Sequence, residues 1–101
     1  MLRWRRRERV ANTQSLRVEF YTRVGCHLCE LAEPVIQRTA RRYGALVRKI
    51  DVDTRPELQA RFGMKIPLVR INDGNQVALR ITEARLVRAF ERARQRASNP
   101  Q

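Results

Sequence analysis

The sequence predicts a single α/β domain in which three helices flank a four-stranded mixed sheet, in the order β-α-β-α-β-β-α. Two observations predict this class: short strand-type segments alternate with longer segments of helical periodicity, and an Asn-Asp-Gly-Asn turn at residues 72–75 joins the last two strands. A length of 101 residues supports one domain, and 43% apolar residues suffice for a core. We expect the domain at residues 16–97, between a basic flexible tail at 1–15 and a short tail at 98–101.

The first predicted strand leads into the first predicted helix. Apolar and polar residues alternate over residues 16–22, which is the period of a half-buried strand. Helical periodicity begins at His27 and ends at Gly44, a residue type that commonly follows a helix. Pro34 lies inside this helix and is expected to kink it, because proline removes one backbone hydrogen bond. The predicted apolar face of the helix consists of Leu28, Leu31, Val35, Thr39 and Tyr43.

A second strand and a short helix follow. Residues 46–52 form a predicted strand at a sheet edge, because the two cations Arg48 and Lys49 stand in its middle. Residues 54–57 have the form of a capping box, in which a threonine oxygen accepts from a backbone N–H and a glutamate reaches back. This box is expected to start a helix that stops at Gly63.

The last three elements are a hairpin and a helix. Strands are predicted at residues 68–71 and 76–80, on either side of the turn, where Asp-Gly tolerates positive φ angles. The first unit therefore gives parallel strands, the hairpin gives an antiparallel pair, and helices should cover both sheet faces. Thr82 is expected to cap the last helix. The predicted inward stripe of that helix consists of Leu86, Val87, Phe90 and Ala93.

Cysteine usage and hydropathy restrict the environment in which this chain functions. The two cysteines, Cys26 and Cys29, close too small a loop to staple a secreted domain, so we expect a reducing compartment, the cytoplasm. No apolar run approaches the roughly eighteen residues of a membrane span. Residues 1–10 are rich in arginine but lack the apolar stretch of a secretory signal.

The chain carries a formal net charge of +12, which would attract nucleic acid or an anionic membrane. The cations are spread along the sequence: the first nine residues hold five arginines, and residues 80–96 hold six. We interpret most of them as solvated helix faces. We therefore expect neither a membrane nor nucleic acid as the partner, although the charge leaves nucleic acid open.

The motif Cys26-His27-Leu28-Cys29 stands between a predicted strand and a predicted helix. Unpaired N–H groups and the dipole at a helix start stabilise a nearby anion, so a thiol at that position ionises more readily. Cys26 would attack a substrate disulfide, and Cys29, one turn further in and more buried, would resolve the mixed disulfide.

Metal binding is the main alternative for a Cys-x-x-Cys pair. A closed zinc site needs four ligands, whereas this chain has one such pair and one histidine, which lies between the cysteines. We therefore expect no metal held within one chain. A metal ion or an iron–sulfur cluster that bridges two chains remains open.

Several segments resemble a known family. The segment from Phe20 to Cys29 is similar to the active-site entry of the glutaredoxins, and its Gly-Cys-His-Leu-Cys string resembles a bacterial glutaredoxin-like family. Pro34 matches the kinking proline of thioredoxin-fold active-site helices, and residues 50–53 resemble the second glutaredoxin strand and its exit. Ile66-Pro67 falls where the superfamily has a cis-proline facing the cysteines. Over residues 16–97, the resemblance implies a thioredoxin-like fold of the glutaredoxin-like type.

The resemblance also implies roles in substrate binding. A cis bond before Pro67 would leave the Ile66 backbone free to pair with an extended substrate. Arg23 stands near the position at which glutaredoxins have a basic residue for the glycyl carboxylate of glutathione. Leu28 would offer an apolar contact to a bound peptide, or simply cover the helix start. His27 would stabilise the thiolate if protonated, shape the substrate groove if neutral, or face solvent without a role.

The expected function is that of a monomeric thiol–disulfide oxidoreductase without a tightly bound cofactor. It would reduce protein disulfides or glutathione-mixed disulfides, with a thiol reductase system as electron donor. The Gly-Gly pair that helps glutaredoxins hold glutathione is missing, and residues 77–82 occupy that region, so glutathione is a possible co-substrate rather than a required one. The alternatives are a redox-sensing or binding module with little turnover, and cluster binding between subunits.

Overall fold

The secondary structure follows the predicted order β-α-β-α-β-β-α in a computed structural model that describes residues 16–98. The predicted tail at 1–15 lies outside the described residues, as do the last three residues of the tail at 98–101. The elements are β1 (Arg17–Thr22), α1 (His27–Arg42), β2 (Leu46–Asp51), a 3₁₀ turn (Val52–Thr54), α2 (Pro56–Phe62), β3 (Leu68–Ile71), β4 (Asn75–Ala78) and α3 (Glu83–Ser98).

The four strands form one mixed sheet in the order β2-β1-β3-β4. β1 runs parallel to β2 and antiparallel to β3, and β3 pairs antiparallel with β4. The predictions of a parallel first unit, an antiparallel hairpin and an edge position for β2 are therefore confirmed. Tyr21 lies opposite Leu68, which in turn lies opposite Ala78. The end of β1, the start of β3 and the end of β4 thus meet at one end of the sheet.

Helices cover both faces of the sheet, as predicted. Successive side chains of β1 point to opposite faces and therefore contact different helices. Val18 and Phe20 belong to a cluster that includes buried residues of α1 and α3. Tyr21 belongs to a second cluster, which Leu58 and Phe62 of α2 complete. Each fully buried large apolar side chain of these clusters contributes about 1.5–3 kcal/mol.

α1 packs on the sheet through a different face from the predicted one. Leu28 and Leu31 of the predicted apolar face are 58% and 59% exposed, so they are not part of the face that packs on the sheet. The buried face is instead rotated toward smaller residues, which let the helix backbone approach the sheet. Its members are Cys29, Ala32, Ile36, Thr39 and Ala40. α1 runs through Pro34 without interruption.

The inward stripe of α3 is largely as predicted. Leu86, Phe90 and Ala93 are buried, but Val87 is only half-buried, and Ala89 takes a buried place that was not predicted. Ala89 joins the same core cluster as Leu86, Phe90 and Ala93.

The capping predictions have opposite outcomes. Thr82 caps α3 as expected, because its Oγ1 accepts from the Arg85 N–H at 3.2 Å. The capping box before α2 is wrong: Thr54 ends the 3₁₀ turn and donates its hydroxyl to the Asp51 carbonyl at 2.7 Å. The N-cap of α2 is Arg55, which makes no side-chain capping bond. The carboxylate of Asp51 accepts from the Asp53 N–H and so starts the 3₁₀ turn. Thr54 is the last residue of that turn and therefore does not cap α2.

The hairpin turn lies one residue earlier than its Asp-Gly pair suggested. The positive φ angles belong to Asn72 (54°) and Asp73 (65°), and the Gly74 N–H closes the turn on the Ile71 carbonyl at 3.2 Å. Asparagine and aspartate tolerate this conformation, so the turn does not need glycine at either position. β4 ends at Ala78, two residues before its predicted end, because the next residue has a φ of +70° and leaves the strand.

Candidate active site

Cys26 occupies the N-cap of α1, at the point where the chain leaves the sheet. After β1, Gly25 adopts a φ of +82°, and the Cys26 N–H closes the turn on the Arg23 carbonyl at 3.2 Å. The Sγ of Cys26 then accepts from the Cys29 N–H at 3.2 Å. A positive φ is unfavourable for most residues with a Cβ, so glycine is suited to the turn that aims the sulfur at the start of the helix.

Cys26 and Cys29 are joined by a disulfide, with their Cα atoms 5.2 Å apart. Cys26 is half-buried, whereas Cys29 is 2% exposed. The pair therefore has one sulfur that a substrate can approach and one that the domain protects. Such an arrangement fits a redox role, because only the outer sulfur is placed to exchange with another molecule.

The peptide bond between Ile66 and Pro67 is cis, which confirms the feature that the family resemblance implied. Pro67 is buried, and Ile66 packs against the same core cluster as Cys26. Within residues 16–98, no hydrogen bond occupies the backbone of Ile66. That backbone is therefore available to an extended segment of another chain.

Exposed apolar side chains accompany the disulfide and the cis-proline. Val24 is 86% exposed and precedes Cys26 by two residues, and Met64 is 91% exposed and precedes Ile66 by two. Leu28 and Leu31 project from the first two turns of α1. We call Val24, Leu28, Leu31 and Met64 the apolar rim. None of the four side chains belongs to either buried core cluster.

Comparison with known proteins identifies the family. The model of the glutaredoxin-like domain (DUF836) matches residues 17–91. The chain belongs to this family. A comparison with curated proteins found no match.

Solved structures support the thioredoxin-like fold of this glutaredoxin-like domain. A structural-genomics target protein from X. campestris has a TM-score of 0.64 at 23% identity, over 74% of this chain and 96% of that one. Thioredoxin 1 from Thermosipho africanus also has a TM-score of 0.64, at 22% identity over 82% and 99% of the two chains. A mutant thioredoxin from Halobacterium salinarum has a TM-score of 0.59 at 27% identity, covering 84% and 80%.

Arg23 of the glutaredoxin-like domain is engaged by a carboxylate. Its Nε donates to Asp53 at 2.9 Å, and the amide of Gln59 donates to the other carboxylate oxygen at 2.8 Å. The hydrogen bond from Arg23, followed by that from Gln59, lowers the pKa of Asp53. The hydrogen bond to Asp53 raises the pKa of Arg23. A Cβ at Gly63 would lie 3.3 Å from the Arg23 guanidinium, so the pair lies beside the loop that leads to the cis-proline. A role of Arg23 toward glutathione stays a prediction.

A cleft of about 430 Å³ opens beside the inner sulfur. Its lining includes Cys29 together with Lys49 and Glu33, which form an ion pair with Nζ and Oε1 2.9 Å apart. Neither charged residue was predicted as part of the site. The only local signal in the sequence was Lys49 in an edge strand. Lysine is common there for another reason, since it keeps an edge strand from pairing with a second chain.

The remaining predicted site residues have simpler surroundings. His27, the first residue of α1, is exposed, and no other described residue bonds its ring. Among residues 16–98, no group of three or more His, Cys, Asp or Glu side chains is arranged to hold a metal ion. Within the same range, no helix is both long enough and apolar enough to cross a membrane.

Proposed function

We propose that this glutaredoxin-like domain is a thiol–disulfide oxidoreductase that reduces disulfides in proteins. The observation that carries the proposal is the disulfide between a half-buried sulfur at the N-cap of α1 and a buried sulfur one turn further along. The Cys29 N–H that points at Cys26 Sγ in the oxidised form would stabilise a thiolate there in the reduced form. Cys26 is therefore the attacking thiol, and Cys29 is the resolving thiol.

The reaction transfers two electrons from the protein dithiol to the substrate. The Cys26 thiolate attacks one sulfur of the substrate disulfide, which forms a mixed disulfide and releases the other substrate sulfur as a thiolate that takes up a proton. Cys29 then loses its proton and attacks the Sγ of Cys26. This step forms the Cys26–Cys29 disulfide seen in the structure and releases the second substrate sulfur as a thiol. A thiol reductase system returns the two electrons.

The surroundings of the disulfide favour a protein substrate over glutathione. The apolar rim would contact the side chains that flank a protein disulfide, and the unoccupied Ile66 backbone would pair with an extended segment. Arg23, the candidate for the glycyl carboxylate of glutathione, already donates to Asp53. Glutathione remains a possible co-substrate, and the missing Gly-Gly pair argues against a dedicated site for it.

Replacement of the resolving thiol tests this proposal. Cys29→Ser should halt the reaction at the mixed disulfide, so proteins should remain linked to Cys26 until a dithiol releases them. The matched control is Cys26→Ser, which has one free thiol as well but at the buried position. Recovery of glutathione alone would make glutathione-mixed disulfides the substrate class. Failure of Cys29→Ser to form any adduct, or equal adducts on both variants, would contradict the assignment of roles.

A further inference from the structure

Arginines on one face of α3 border the sheet edge formed by β4. Successive members are three or four residues apart and therefore lie on the same side of the helix. Three of them line a cleft of about 210 Å³ together with residues of β4. The fourth lies next to the hairpin, because a Cβ at Gly74 would be 3.3 Å from its Nη1. The arginine face consists of Arg85, Arg88, Arg92 and Arg96.

Most of this positive charge has no compensating carboxylate. Within residues 16–98, the side chains of Arg88, Arg92 and Arg96 make no hydrogen bond or ion pair. Arg85 donates to main-chain carbonyls of residues 78 and 80.

The two glutamates of α3 are used on other sides of the helix. Glu83 pairs with Arg42 of α1 at 2.7 Å. Glu91 accepts from the hydroxyl of Tyr43 at 2.7 Å and pairs with Arg94 at 3.3 Å. Like charges three or four residues apart repel each other on a helix, so an anion bound along the face would relieve the repulsion.

The chemistry of the face suits phosphate groups. Guanidinium groups bind phosphate oxygens through two parallel hydrogen bonds and are less strongly hydrated than ammonium groups. At 1.5 Å per residue, Arg85 and Arg96 are separated by about 16 Å along the helix, which corresponds to about five nucleotides of one DNA strand at 3.4 Å each. The four cations thus extend over a run of phosphates rather than converging on a single one.

The composition of the face distinguishes nucleic acid from a protein partner. A protein interface centres on apolar or aromatic anchors, whereas contacts to a phosphate backbone need only cations and hydrogen-bond donors. Within residues 16–98, one exposed large apolar side chain borders the face: Leu79, which stands between the two residues whose carbonyls accept from Arg85. The others lie away from α3: Val24, Leu28, Leu31, Leu46 and Met64.

We propose that the arginine face of α3 binds the phosphate backbone of nucleic acid without reading base sequence. The sequence alone did not favour nucleic acid but left it open, because the cations are spread along the chain. The fold places four of them side by side. This binding does not use the disulfide, so the proposal stands or fails independently of the oxidoreductase function.

The test compares two charge-matched variants of the full 101-residue chain. In the first, Arg88, Arg92 and Arg96 are replaced by glutamine, which keeps the helix propensity. The control replaces Arg38, Arg41 and Arg48, which are also exposed and have no ion pair within residues 16–98. Binding to a fluorescein-labelled DNA duplex of mixed sequence, about 20 base pairs long, is followed by anisotropy between about 50 and 200 mM salt. Circular dichroism and disulfide reduction verify that both variants fold.

The proposal predicts a specific loss in the face variant. Loss of three phosphate contacts should reduce the slope of log K against log salt by about 2.7, and the affinity at about 100 mM salt should fall tenfold or more. The DNA affinity of the control variant should stay within about threefold of that of the unchanged chain. Equal losses in both variants would show attraction by total charge and would overturn the proposal. It would also be overturned by no DNA binding at low salt, or by preference for a polyglutamate peptide over DNA.

Discussion

The two long helices of this domain begin with the same hydrogen bond but with different acceptor atoms. In α1 the Sγ of Cys26 accepts from the Cys29 N–H, and in α3 the Oγ1 of Thr82 accepts from the Arg85 N–H, both at 3.2 Å. Both helices have 16 residues. The hydroxyl can only cap, whereas the sulfur caps and is also bonded covalently to the residue whose N–H it accepts. Sulfur at the cap and at the third helical residue gives α1 the disulfide that fits a redox role, which the Thr82 and Arg85 pair of α3 cannot form.

The exposed surfaces of the two helices differ as well. The first turns of α1 expose Leu28 and Leu31 next to the disulfide, whereas α3 exposes arginines along β4. We therefore propose that α1 contacts disulfide-bearing proteins and that α3 binds anions. Changes confined to one helix should therefore affect only one of these properties.

The largest expected effect comes from replacing the capping sulfur by a capping hydroxyl. Cys26→Ser should abolish reduction of a protein disulfide such as that of insulin, because no outer nucleophile remains. The reduced protein should keep its fold, since serine caps a helix well. Turbidity of reduced insulin measures the first result, and circular dichroism of both reduced proteins measures the second. Retained activity would mean that Cys29 attacks substrates directly.

A second large effect separates the buried face of α1 from its exposed one. Ile36 is 1% exposed, so Ile36→Ala should lower the free energy of unfolding by about 2–5 kcal/mol. Leu31→Ala should change it by no more than about 0.5 kcal/mol and yet slow the reduction of protein disulfides. Urea unfolding and reduction rates measure the two effects. If Leu31→Ala slowed the reduction of a small-molecule disulfide as much as that of a protein disulfide, contact between the apolar rim and protein substrates would be contradicted.

A smaller effect is expected at the cap of α3. Thr82→Ala should lower the free energy of unfolding by about 1 kcal/mol, because the Arg85 N–H loses its acceptor. Disulfide reduction should be unchanged, since the cap lies in the other helix. Thr82→Ser is the control that keeps the acceptor. A Thr82→Ala protein as stable as the serine variant would show that the hydrogen bond contributes nothing.

The smallest effect concerns Asp53, whose pKa is lowered chiefly by the bond from Arg23 and then by that from Gln59. A lowered pKa in the folded state stabilises the protein above the ordinary carboxyl pKa of about 3.9, and the stabilisation disappears as the pH falls through the folded value. Asp53→Asn should therefore be slightly less stable at neutral pH. The difference should vanish in acid, as urea unfolding at several pH values would show. A difference that persisted unchanged in acid would exclude the carboxylate as its cause.

Features that depend on neighbouring residues were predicted from the sequence, and features that depend on distant ones were not. The strand–Cys26–helix entry, the start of β3 at Leu68 and the Thr82 cap follow from short patterns and were correct. The cis bond before Pro67 followed from family resemblance. Asp53 lies 30 residues from Arg23, so no local pattern connects them.

Errors arose where two local patterns competed or where packing decided the outcome. Thr54 fits a capping box, but the Asp51 carboxylate starts a 3₁₀ turn first. Helical periodicity placed Leu28 and Leu31 on one apolar face with Thr39, whereas the fold buries Thr39 with smaller residues and leaves both leucines exposed. The grouping of arginines beside β4 required the tertiary fold, because periodicity places them on one side of α3 without showing what borders that side.

The most direct test of the redox site is alkylation of the fully reduced protein by iodoacetamide, followed by mass spectrometry at a series of pH values. The structure predicts that Cys26 is alkylated first and that its rate rises with a midpoint below the value of about 8.5 for a free cysteine. Cys29 should react only after unfolding, because it is buried. Alkylation of Cys29 before Cys26, or a Cys26 midpoint at or above that of free cysteine, would contradict the account of an outer, ionised sulfur at the helix start.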